Sequence, residues 1–153
     1  MKERISLKAY LSVPIISNRS LERARKIAEI LERHGVDIIS KWVLSEDPGW
    51  SLSPSKVFNR DVRGVEKCDF LVADVNEPSI GVGIEIALAW KMGKPIICLF
   101  EKGRRVSYMV LGMTNVILLE YSNYDELEKL LEEALKNLGI KRSSNLTCKR
   151  ETS

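Results

Sequence analysis

The sequence predicts an open α/β domain: a five-stranded parallel sheet with helices on both faces. Three observations predict it. Short, almost wholly apolar runs, Asp69–Val75 and Pro95–Phe100, read as strands buried on both faces. Other segments place apolar residues three and four apart, the period of an amphipathic helix. The two kinds of segment alternate, and alternation of this sort gives parallel strands joined by helical crossovers.

Taken in order, Ile5–Val13 is apolar enough for a first strand. Asn18–His34 carries Leu21, Ala24, Ile27, Ala28 and Leu31 at helical spacing, and Gly35 is a natural stop. Val36–Val43 is rich in β-formers, and a loop with Pro48, Gly49 and Pro54 follows. Ser55–Lys67 is a second amphipathic helix, with Val57, Phe58, Val62 and Val65 on one face. After the Asp69–Val75 strand, Val82–Met92 is a helix ended by Gly93. Asn115–Glu120 follows Pro95–Phe100 as the fifth strand, and Tyr124–Leu138 is a last helix with Leu127, Leu130, Leu131, Ala134 and Leu138. These elements form one domain, 1–140, and 141–153 reads as a disordered basic tail. Five such strands suit the flavodoxin-like order 2-1-3-4-5. Its ligand crevice lies beyond the carboxyl ends of strands 1 and 3, at the loops Val13–Arg19 and Asn76–Gly81.

The net charge of +3 resides in the tail, where Lys141, Arg142, Lys149 and Arg150 face Glu151 alone. The folded part is neutral, which argues against a nucleic-acid polymer as partner. Cys68, Cys98 and Cys148 have no motif spacing, and with His34 as the single histidine they offer no metal constellation. An odd cysteine count without a framework, no apolar signal core at MKERISLKAY and no run long enough to span a bilayer give the expectation of a cytoplasmic protein away from membranes.

Glu85 is the anomaly. It is the only charge between Glu77 and Lys91, and its helical neighbours Gly81, Val82, Leu88 and Ala89 are small or apolar. Such a carboxylate either reaches water or a backbone amide, or is kept for chemistry. Asp61 repeats the pattern, three residues from Phe58 and four from Val57 and Val65, so it shares their inward face; Arg60 and Arg63 fall on other faces. Two carboxylates on core-facing sides of neighbouring helices are the usual equipment for cleaving a glycosidic bond. The run Ser79-Ile80-Gly81-Val82-Gly83 joins a strand to a helix and suits either an anion cradle or a tight turn; it is neither a Rossmann fingerprint nor a P-loop. Lys102-Gly103-Arg104-Arg105 reads as a solvated basic loop, Trp42 and Trp50 as packing or base-stacking aromatics, and His34 as a cation at a helix end.

The segments Arg60-Asp61-Val62, Asp69–Glu85 with its Pro78-Ser79-Ile80-Gly81-Val82-Gly83-Ile84-Glu85 run, and Gly93-Lys94-Pro95-Ile96 resemble the nucleoside 2-deoxyribosyltransferase superfamily. More narrowly, they resemble its 2'-deoxynucleoside 5'-monophosphate N-hydrolases. The likeness runs from about Tyr10 to Leu138. It implies that Glu85 is the nucleophile at C1', that Asp61 assists at the sugar and leaving base, and that Tyr10 orients Glu85. It also implies substrate contacts from Ile15, Ser17, Arg19, Trp42, Ser79, Gly81, Ser107, Tyr108 and Met109, with Ser107 offered across a homodimer interface. No cofactor or metal is implied. Members acting on free nucleosides carry an aspartate and a Gly-Thr step where this chain has Ser79 and Gly81-Val82, and a hydroxyl with free amides welcomes a 5'-phosphate that a carboxylate repels. The chain departs from animal members at Val13 and Ile16, where they have glycine and arginine, with Arg19 as the replacement cation; Ile84 stands for a family tyrosine. The expected activity is hydrolysis of deoxynucleoside monophosphates. The alternatives are base exchange, hydrolysis of ribonucleotides, and binding without cleavage.

Overall fold

The computed structural model describes residues 6–150, with side chains to residue 139. Five strands, β1 (Lys8–Ser12), β2 (Asp37–Ile38), β3 (Phe70–Asp74), β4 (Ile96–Glu101) and β5 (Val116–Tyr121), form one sheet in the order β2-β1-β3-β4-β5. Every pairing is parallel. The helices are α1 (Leu21–Arg33), α2 (Pro54–Lys67), α3 (Ile80–Lys91), α4 (Tyr108–Leu111) and α5 (Tyr124–Arg150). This is the predicted doubly wound order.

Alternation along the strands divides the core. Ala9, Leu11, Phe70, Val72, Ile97, Leu99, Leu119 and Tyr121 pack with α1 and α5. Tyr10, Leu71, Ala73, Ile96, Cys98 and Phe100 point the other way, towards Val65 of α2 and Val82, Ile86 and Ala89 of α3. Serine caps the starts of α1, α2 and α3: Ser20, Ser53 and Ser79 each accept from a backbone amide three residues on. Gly35 leaves α1 at φ +80°, a conformation that glycine adopts without strain.

Three elements differ from expectation. The β-rich run Val36–Val43 contributes only Asp37–Ile38 to the sheet, and Lys41–Leu44 turns into a 3-10 helix. The cause is Ser40, fully buried, whose Oγ accepts from Leu11 N and donates to Leu11 O, both at 2.8 Å. One hydroxyl thus satisfies the two β1 groups that further strand pairing would have used. The short helix α4 has too few residues to show a period and was not expected. The backbone of α5 continues beyond Leu138, the last residue of its apolar stripe, to Arg150. Residues 151–153 of the expected basic tail, and Ile5 of the expected first strand, lie outside the described residues.

Candidate active site

Tyr10 and Ser12 are two apart on β1, so both side chains emerge on the α2/α3 face. Both hydroxyls meet Glu85 of α3: Tyr10 Oη donates to Oε2, and Ser12 Oγ donates to Oε1 at 2.9 Å. Among the described residues, no cation bonds this carboxylate. Burial, the largest influence, pushes Glu85 up to about 7; the two hydroxyls oppose the rise, the nearby charge of Asp61 adds to it, and that of Arg60 opposes it. Burial, then the charge and hydrogen bond of Glu85, raise the Tyr10 phenol far above its ordinary value, so it stays a donor. The helix therefore carries an unneutralised carboxylate because β1 presents two hydroxyls to it.

Tyr10 is held tightly. A Cβ on Gly64 of α2 would lie 2.7 and 2.9 Å from Tyr10 ring carbons. The Trp42 ring meets Tyr10 edge-on, centroids 6.1 Å apart. Trp42 in turn lies under the Arg60 guanidinium at 4.2 Å, which covers the face expected for a base.

Asp61 is partly buried and close enough for its charge to act on both Glu85 and Tyr10. Two expectations about it are corrected. Arg60, expected on another face, pairs with it through Nε–Oδ1 at 2.9 Å. Arginine is long enough to fold back over its neighbour, and Pro48 O and Trp42 hold it there. Phe58, expected on the inward face, is 59% exposed; the stripe runs outward from Val65, fully buried, through Asp61 to Phe58.

Ser79 caps α3, accepting from Val82 N at 3.3 Å, so Gly81 and Gly83 lie in the helix rather than in a tight turn. A Cβ at either glycine would meet nothing within 4 Å, so packing within the chain does not demand them. The first amides of a helix have no partner within it, and Ile80 and Gly81, which follow Ser79, are exposed residues. Ser79 lines a groove of about 1280 Å³ between α3 and α4, together with Ile80, Gly83, Ser107, Tyr108 and Met109. Glu85, Tyr10 and Asp61 do not line it: positions 83 and 87 lie about 200° around α3 from position 85. The chain thus brings Tyr10, Glu85 and Asp61 together on one side of α3, and Ser107, Tyr108 and Met109 on the other, with Ser79 at the start of the helix.

The loop after β1 departs further from expectation. The Arg19 guanidinium donates to the carbonyls of Val43, Ser45 and Glu46, which ties that loop to the segment after β2 instead of leaving a free cation. Ile15 is partly buried against the α1/α5 core, while Ile16 and Ser17 are exposed. Sequence reasoning left out Ser12, although its two-residue spacing from Tyr10 puts both on one face, and Arg60, whose fold-back no periodicity reveals.

On the opposite face of the sheet, Asp74 is buried against Arg23, Nε–Oδ2 2.8 Å. Its other oxygen accepts from Asn76 N and Nδ2, and Asn76 Oδ1 accepts from Glu101 N at 2.7 Å. This network fixes the start of the loop that leads to Ser79.

A profile of the nucleoside 2-deoxyribosyltransferase family matches residues 9–140. The chain belongs to that family. A relative in Thermofilum pendens, provisionally named 2'-deoxynucleoside 5'-phosphate N-hydrolase 1, is 41% identical over 81% of this chain and 92% of its own. The 5-hydroxymethyl-dUMP N-hydrolase of Esox lucius is 34% identical over 82% of this chain and 88% of its own. Among solved structures, a CMP N-glycosidase of Clostridium botulinum superposes with a TM-score of 0.62 at 24% identity, covering 82% of this chain and 98% of its own, a likeness of fold. The resemblance read from the sequence stands, and with it the expectation of an enzyme of N-glycosyl bonds. Among the described residues, no helix is long and apolar enough to cross a membrane.

Proposed function

We propose that this protein hydrolyses the N-glycosidic bond of a 2'-deoxynucleoside 5'-monophosphate, releasing free base and 2-deoxyribose 5-phosphate. The observation that carries the reading is the partly buried Glu85 carboxylate, held by two hydroxyls and, among the described residues, by no cation. Tyr10 and Ser12 aim it. Ionised Glu85 attacks C1', the bond to the base breaks, and the developing positive charge on the sugar is stabilised by the carboxylate. Asp61 assists at the sugar and the departing base. Water then cleaves the glycosyl ester, which returns Glu85 to its resting form. The names of the relatives support the hydrolytic direction and a phosphorylated deoxynucleoside as substrate.

The 5'-phosphate is received by Ser79 Oγ and the open amides of Ile80 and Gly81, at the positive end of the α3 dipole. The groove that Ser107 lines lies on the side of α3 away from Glu85, so Ser107 reaches a substrate held at Glu85 from a second copy, which completes the site. Ile80, Tyr108 and Met109, at 85%, 86% and 83% exposure, and Trp90 give the groove the apolar face that a homodimer covers. The enzyme works in the cytoplasm, where its substrates are.

The test is incubation with a panel of deoxy- and ribonucleoside 5'-monophosphates and nucleosides, with chromatography for free base. Base release from deoxynucleoside monophosphates, and far less from nucleosides, is the expected result. Exchange with an added second base identifies transfer instead, and intact nucleotides after hours rule the reading out.

A further inference from the structure

Arg60 sits where three elements of the site meet, and neither the family likeness nor the chemistry above gives it a role. Its Nε donates to Asp61 Oδ1 at 2.9 Å, and its Nη2 donates to Pro48 O at 2.9 Å. Its guanidinium lies 4.2 Å over the ring of Trp42, the ring that abuts Tyr10. Gly49 makes room for it: at φ +139°, a Cβ there would lie 3.1 and 3.2 Å from Nη1 and Nη2. A planar cation fixed on three sides is a built feature rather than a solvated side chain.

The site needs such a feature. Two carboxylates near enough to feel each other's charge repel, and a pair of this kind resists ionising together. The groups facing Glu85 are Tyr10 and Ser12 from β1 and Asp61 and Arg60 from α2; the α3 neighbours carry no charge. Arg60 is the one cation among them. Resting on the reading of Glu85 as nucleophile, we propose that Arg60 is a positioning and charge-balancing residue: it fixes the Asp61 carboxylate and offsets its charge, so that Glu85 can ionise beside it. Contact between Arg60 and Glu85 themselves would lower the nucleophilicity of the carboxylate; by pairing with Asp61, the guanidinium supplies its charge without blocking the attacking oxygen. The opposing influences of Asp61 and Arg60 on Glu85 agree with this division.

The experiment is a carboxyl ¹³C NMR titration of the free protein, with the Glu85 signal assigned by its loss in Glu85→Gln. Arg60→Met should raise the Glu85 midpoint by about one pH unit. Asp61→Asn should lower it by a similar amount, and the double variant should return near the wild-type midpoint. Arg60→Lys, which keeps the charge and loses the fork, should move the midpoint less than Arg60→Met, while kcat falls more than KM changes. A folded Arg60→Met protein with an unmoved midpoint overturns the proposal. Should Arg60→Met fail to unfold cooperatively, Asp61→Asn decides: a midpoint that stays or rises also overturns it. No substrate enters the titration, so shifted midpoints without base release would defeat the proposed reaction and leave the charge balance standing.

Discussion

Two carboxylates stand near the same rim of the sheet, on opposite faces, and their partners differ in kind. Asp74, on the α1/α5 face, is 1% exposed and lies against a buried guanidinium at 2.8 Å. Glu85, on the α2/α3 face, receives only hydroxyls among the described residues. A buried ion pair holds a charge in place and, once formed, is costly to break. A carboxylate held by hydroxyls keeps its direction but remains free to gain a proton or to form a bond. The difference separates a structural acid from a reactive one.

The largest effect should come from breaking the reactive side. Glu85→Gln should lower base release by at least on the order of 10³-fold and leave a folded protein, as measured by single-turnover assays beside a thermal melt. The same variant sharpens the comparison through pH. Folded Glu85 titrates at about 7 against an ordinary value of 4.5, so folding takes up a proton between those values. The associated stability is fully present below about pH 4.5 and is lost as pH rises through about 7, roughly 2–4 kcal/mol in all. Turnover, which needs the ionised form, should rise over the same window. Urea midpoints between pH 4.5 and 8 should therefore fall for the wild type more steeply than for Glu85→Gln.

Breaking the structural side reverses the balance of effects. Asp74→Ala would leave the buried Arg23 with only the Glu101 carboxylate, 4.0 Å away, and its Nη2 already has no hydrogen-bond partner among the described residues. Stability by urea unfolding should drop by about 3–5 kcal/mol, while turnover per folded molecule changes far less than with Glu85→Gln. The smallest change tests the support beneath Glu85. Gly64→Ala places a methyl at 2.7 Å from the Tyr10 ring, and ring or helix must shift. The expected cost is about 1–3 kcal/mol, with kcat reduced more than KM is raised, because the displaced phenol no longer aims the carboxylate.

Much of this was legible in the sequence, and the unread parts share a cause. The strands β3 and β4 announce themselves as uninterrupted apolar runs, and Glu85 stands out because no other charge lies between Glu77 and Lys91. Residues whose partners come from another element were harder to place. Ser40 ends β2 by taking over both groups of Leu11, a contact across 29 positions of chain. Arg19, a candidate cation for phosphate, is spent on three carbonyls of the segment after β2. Arg60 folds back onto Asp61 because Pro48 and Trp42 lie where they do, and helical spacing says nothing about either.

Sequence alone determined the kind of sheet, its strand order and which acid is out of place, since periodicity and burial are local properties written in residue order. Tertiary structure decided what that acid touches, which cation stands behind its neighbour, and that Ser107 lies across α3 from it. Hydrogen bonds and charges act over a few ångströms in space whatever the distance along the chain, so their pairing exists only once the elements have packed.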